Sequence, residues 1–224
     1  MKFFFPAIAE EIDWERGHTF LDKELQQVVR DAELGRRYAD KLVQVYRRDG
    51  EETWVLVHVE VQGWRDSGFE QRMFVYNYRI FDRYERPVVS LAVLADEHAA
   101  WRPTSYGWDL WGCRMGIRFP VVKLLDYQDR WSELEESGNP FAVCTMAHLK
   151  TMETRVDPRL RFSWKLNLVR RLYDQGRDQQ YVLDLFRFID WMMHLPEDLA
   201  EGFINALTKI EGNWSRGGSA EAES

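Results

Sequence analysis

The side chains here whose types and spacing could do chemistry are Asp40, Glu60 and Gln62, which stand at the ends of two apolar runs. The run Trp54-Val-Leu-Val-His-Val-Glu-Val-Gln62 alternates as a strand does. Val55, Val57, Val59 and Val61 fall on one face, and Trp54, Leu56, His58, Glu60 and Gln62 on the other. The earlier run, Tyr38-Ala-Asp-Lys-Leu-Val-Gln-Val-Tyr46, is followed by Arg48-Asp-Gly-Glu51, and an Asp-Gly pair between alternating runs marks a hairpin. Such a hairpin brings Asp40 beside Glu60, and a connection of odd length puts both on the face of His58. Carboxylates held that close repel, at a cost of about 1 to 3 kcal/mol unless something positive lies between them. A hard divalent cation, Mg²⁺ or Mn²⁺, suits the pair, with the carbonyl of Val61 as a further oxygen ligand. The competing reading is a solvated sheet face with a surface ion pair.

Upstream, Thr19-Phe-Leu-Asp22 has the spacing of a capping box, and Leu21, Leu25, Val28 and Val29 recur after it at helical intervals. Glu24 falls inside that stripe and projects from the core-facing side, where a lone carboxylate is costly to bury. The cation is one candidate partner; Lys23, Arg30 or water are the others.

A helix with an inward Glu, then a hairpin bearing Asp and Glu-x-Gln, resembles the PD-(D/E)XK nuclease superfamily. More narrowly, residues 20 to 43 (Phe-Leu-Asp-Lys-Glu-Leu-Gln-Gln-Val-Val-Arg-Asp-Ala-Glu-Leu-Gly-Arg-Arg-Tyr-Ala-Asp-Lys-Leu-Val) and His-Val-Glu-Val-Gln-Gly (58 to 63) are similar to the bacterial Rpn-type, transposase-like nucleases. The similarity continues through Tyr76 to Tyr84, Asn139 to Val143 and Ala147 to Thr151. The resemblance implies an α/β (α+β) fold: a restriction-endonuclease-like αβββαβ core with a mixed central sheet and a C-terminal helical appendage. It implies a metal-dependent endonuclease that hydrolyses DNA phosphodiester bonds, linked by the family label to recombination or mobile elements. Asp40 and Glu60 match its metal-binding acids, Glu24 its first-helix acid, and Gln62 the place usually held by Lys. Gln71 or Arg72 would lie near the substrate phosphates. Gln62 is the departure that matters: glutamine is neutral and orients only by hydrogen bonds, where lysine would add positive charge at the scissile phosphate. A catalytically inactive module of the same fold, binding nucleic acid or a protein partner, is therefore the alternative. His58 would serve either as a proton shuttle or simply to satisfy a neighbour.

The elements that must position these residues follow from periodicity. Phe69 to Tyr84 is aromatic and helical in period, as a crossover to the strand Pro87 to Leu94 requires. Asp109 to Tyr127 reads as β-structure, with Phe119 to Leu125 its clearest strand. Beyond about residue 128 the pattern turns helical, over Gln128 to Glu136, Phe141 to Met152, Pro158 to Tyr173, Asp178 to Met193 and Pro196 to Ile210. The expected organisation is a core over 1–152, a helical appendage over 153–212 and a disordered tail over 213–224, too polar to bury. Arg155, Arg159, Arg161, Lys165, Arg170, Arg171 and Arg177 make the start of the appendage basic, either to track a phosphate backbone or to balance the acidic core. The appendage could also serve as a scaffold for protein partners.

Composition sets the outer limits. A net charge of -7 argues against strong duplex binding, so DNA affinity should be modest and salt-sensitive, with a protein partner to deliver the chain to its target. A homodimer would supply one site per strand, though no residue demands it. No run of 18 apolar residues is present, and the opening Met-Lys-Phe-Phe-Phe-Pro-Ala-Ile-Ala is too short for a secretory signal. Cys113 and Cys144 read as reduced core thiols of a cytoplasmic protein, and no membrane association is expected.

Overall fold

The computed structural model describes residues 1–21, 23, 25, 41–49, 52–60 and 66–220, the stretches 52–60 and 211–220 by their backbone alone. It is a mixed α/β protein of two compact units, Met1–Leu125 and Asp126–Ser224.

The first unit contains α1 (Pro6–Glu10), β1 (His18–Phe20), β2 (Lys41–Tyr46), β3 (Glu52–Glu60), α2 (Phe69–Tyr84), β4 (Val88–Leu94), β5 (Ser105–Leu110), β6 (Cys113–Arg118) and β7 (Val121–Lys123). Its main sheet has the order β1-β2-β3-β4-β7. The first three strands are antiparallel neighbours, whereas β3, β4 and β7 run parallel. Parallel neighbours need a crossover, and α2 supplies the one between β3 and β4. Phe69, Met73, Tyr76 and Ile80, three or four residues apart, give α2 its buried face.

Lys41 lies opposite Val57 and Tyr46 opposite Glu52, so the β2–β3 connection is residues 47–51, an odd number. Even-numbered positions of the two strands therefore face one another. The odd connection expected from the sequence is the one observed, while Asp40 itself lies outside the described residues.

Thr19 departs from expectation. It belongs to β1, opposite Gln44, and does not cap a helix. The helical turn starts at Leu21, whose carbonyl accepts from the Leu25 amide at 3.0 Å. Phe20 and Thr19 extend the sheet because β2 offers an unpaired edge, which outweighs a weak local capping preference. Leu21 and Leu25 do face the core, packing with Leu42, Tyr76 and Ile80. Val28 and Val29 lie outside the described residues.

The stretch 105–118 folds into a separate two-stranded ribbon, β5 against β6. Only Val121–Lys123 of the expected strand Phe119 to Leu125 is strand; Leu124–Tyr127 turns into a 3-10 helix. In the ribbon, Leu110 pairs with Cys113 across the two-residue turn Trp111-Gly112, and both turn residues have positive φ, 55° and 81°. That is a type I′ turn, whose right-handed twist matches the strands. Tryptophan is a poor residue for its first position: the left-handed region costs a non-glycine residue roughly 1–2 kcal/mol. Further back Gly107 faces Gly116, and a Cβ on Gly107 would run into the Met115 carbonyl oxygen.

The second unit is helical: α3 (Trp131–Glu136), α4 (Pro140–Glu153), α5 (Pro158–Asp174), α6 (Gln179–Met192) and α7 (Glu197–Ala220). Three starts are capped by side chains. Asn139 accepts from the Phe141 amide, Asp157 from Arg159 and Leu160, and Asp178 from Tyr181. Val143, Met146, Leu149, Leu168, Val169, Leu172, Val182 and Ile189 are buried among these helices. The division at 125/126 thus places α4 with the helices it packs on, α5 and α6, where the sequence reading drew its boundary at 152/153. α7 runs on to Ala220, through most of the stretch 213–224 whose composition suggested disorder, since extending an existing helix costs far less than starting one.

Candidate functional site

The carboxyl ends of the parallel strands meet on one edge of the main sheet. Glu60 closes β3 opposite Leu94, the last residue of β4, and Lys123 closes β7 on the other side of Leu94. α2 begins after this edge, at Phe69. In open α/β sheets such an edge is where loops gather functional groups.

Beyond β4 the chain passes through a fully buried ion pair. The Lys123 ammonium lies 2.8 Å from each carboxylate oxygen of Asp96 and 3.0 Å from the Trp101 carbonyl, and both side chains have no exposed surface. One Asp96 oxygen also accepts from the His98 amide at 2.9 Å. All three ammonium protons are thereby used, which such a charge needs to be tolerated in the interior. The pair ties the segment 96–101 to the end of β7. Trp101 in turn packs edge-on against Phe69, beside Phe119. Outside this wall is an open depression of about 490 Å³ lined by Glu70, His98, Ala100, Trp101, Arg102 and Pro103. It presents a carboxylate, an imidazole and a guanidinium, a set suited to a polar or anionic ligand. Sequence reasoning missed this cluster: Asp96 and Lys123 are 27 residues apart and neither sits in a local motif.

Of the residues expected to do chemistry, Glu24, Asp40, Val61 and Gln62 lie outside the described residues. Glu60 is placed by its backbone at the end of β3, and His58 opposite Ala92. Among the described residues no group of three His, Cys, Asp or Glu side chains is arranged to hold a metal ion. Gln71 and Arg72 fall in the first turn of α2. Gln71 is exposed, while Arg72 is mostly buried, 2.6 Å from Asp66, with its guanidinium over the Phe69 ring. Asp66 also accepts from the Gly68 amide, so Arg72 helps to fix the entry into α2.

The basic stretch of the second unit is partly engaged internally. Arg161 donates to the carbonyls of Thr151, Thr154 and His194, Lys165 pairs with Asp190 at 2.6 Å, and Arg177 donates to Gly138. Lys150 lies between the Trp131 and Trp164 rings, 4.4 and 4.1 Å from their centroids. Both cysteines are free thiols. Cys113 is exposed at the start of β6 instead of in the core, because none of the described residues covers that end of the ribbon. Burial pushes the Cys144 thiol up to about 11. No helix among the described residues is long and apolar enough to cross a membrane. Comparisons with protein families, with curated proteins and with solved structures return no match to this chain.

Proposed function

We propose that the protein is a metal-dependent endonuclease that hydrolyses phosphodiester bonds of DNA, built on a restriction-endonuclease-like core. The observation that carries this reading is the β2–β3 register, whose odd connection sets even-numbered positions opposite one another and leaves Glu60 at the carboxyl edge of β3. Asp40, two residues before Leu42 in sequence, has the parity of that face. Asp40, Glu60 and the Val61 carbonyl would hold Mg²⁺ or Mn²⁺, which when bound supplies an acidified water and neutralises charge on the phosphate. Glu24 and Gln62 would orient water and phosphate by hydrogen bonds, and exposed Gln71 would contact the backbone; Arg72, tied to Asp66, would act by holding the first turn of α2. The second reading, a silent module that binds nucleic acid or a protein without cutting, is favoured by Gln62 and by the net charge of -7. Incubation of supercoiled plasmid with Mg²⁺ or Mn²⁺, beside EDTA, Asp40→Ala and Glu60→Ala controls, separates the two. Metal-dependent nicking lost in both variants supports the enzyme. Equal, metal-independent behaviour of wild type and variants on plasmid, linear and single-stranded substrates leaves the silent module.

A further inference from the structure

The β5–β6 ribbon has one apolar face and one polar face. Tyr106, Trp108 and Leu110 pair with Ile117, Met115 and Cys113 on the first; Ser105, Asp109, Arg114 and Arg118 stand on the second. At its base the apolar face rests on α2, with Phe74 5.5 Å from both Tyr106 and Trp108. Farther out it is uncovered: Trp108, Leu110 and Met115 are each roughly half exposed, and Trp111 at the tip is 97% exposed.

Trp111 is the informative residue. It sits at positive φ in a turn that asparagine or glycine would fill without strain, and it gains no packing there. A residue that is unfavourable for the fold and fully exposed points to a role outside the fold.

Charge indicates the partner. The ribbon carries Arg114 and Arg118 against Asp109, a surplus of one positive charge in a chain whose net charge is -7, and Arg102 stands three residues before it. Arg114 reaches Asp109 at 3.0 Å, but with an 83% exposed side chain this contact is weak and exchangeable. A two-stranded ribbon fits a duplex groove, arginines on one face suit phosphates, and an apolar tip suits insertion at a base step. We infer that the β5–β6 ribbon is a duplex-DNA contact, with Trp111 wedged against a base step and Arg114 and Arg118 on the phosphate backbone. The inference rests on the nuclease reading for its choice of nucleic acid, and it names how that substrate is gripped.

The test measures binding of a fluorescein-labelled 20-base-pair duplex in EDTA by the full chain, wild type, Trp111→Asn and Arg114→Ala/Arg118→Ala, with thermal melting alongside. Trp111→Asn should melt at or above the wild-type temperature yet bind at least ten-fold more weakly, and the double arginine variant should show a shallower dependence of affinity on salt. An unchanged affinity in Trp111→Asn overturns the inference, as does a wild type that binds no duplex at low salt. A variant whose sedimentation mass falls to half while DNA binding persists overturns it too, and assigns the ribbon to a second copy of the chain. Plasmid nicking run in parallel keeps the two ideas apart. Nicking with unaltered Trp111→Asn binding removes the wedge alone; wedge-dependent binding without nicking removes the enzyme alone.

Discussion

Lys123 and Asp96 show how a pair of residues can fasten one edge of a sheet. Removing either partner leaves the other charged, buried and uncompensated, so Lys123→Ala should lower stability by about 3–5 kcal/mol in urea unfolding. Replacing both, as in Asp96→Leu/Lys123→Met, should recover most of that loss, because no unpaired charge then remains. The two thiols differ in exposure. Thiolate is the reactive form, so a disulfide reagent at pH 8 should label exposed Cys113 quickly and the half-buried Cys144, whose thiol burial keeps protonated, far more slowly. The Cys144 thiol ionises near 11 when folded against a reference of 9.0, so the folded state holds the proton more tightly. Its contribution to stability is complete below pH 9 and declines as pH rises toward 11, which denaturation midpoints across that window would reveal. At this scale the sequence was least legible. Nothing local links Asp96 to Lys123, and only the fold shows that Cys113 is exposed while Cys144 is half-buried.

Elements were readable where period and turn chemistry agreed. Alternation across Lys41 to Glu60 with an Asp-Gly connection specified the central hairpin, and the crossover α2 followed from its Phe69, Met73, Tyr76 and Ile80 stripe. Thr19 misled because one capping residue competes poorly with an open strand edge. The β5–β6 ribbon was blurred into a general β region because Trp-Gly is not a familiar hairpin turn and because Gly107 and Gly116 interrupt the alternation. Those glycines have a packing reason. Gly107→Ala would drive its Cβ into the Met115 carbonyl, and should loosen the ribbon enough to speed amide exchange in β5 and β6 while leaving β2 to β4 protected.

For the whole chain, the two units each have a core of their own. The segment 126–224, expressed alone, should give a helical circular-dichroism spectrum and a cooperative melt, since α4, α5 and α6 bury their stripes against one another. A flat spectrum would show that these helices need the first unit in order to fold. The helical character of this half was legible because its apolar residues keep a period near 3.6 and Asn139, Asp157 and Asp178 mark the starts. Its boundary was not, since the resemblance read in residues 139–143 and 147–151 placed α4 with the first unit.

The lengths of the strands have a consequence for how this protein keeps company with itself. The outer members of the main sheet, β1 and β7, are three residues each, so each offers a foreign strand only a short edge, and β3, the longest strand, lies between β2 and β4. The ribbon offers six residues on each side. Aggregation at high concentration should therefore begin there and not at the sheet, and charges added along β6 should raise solubility where the same charges along β1 would do little.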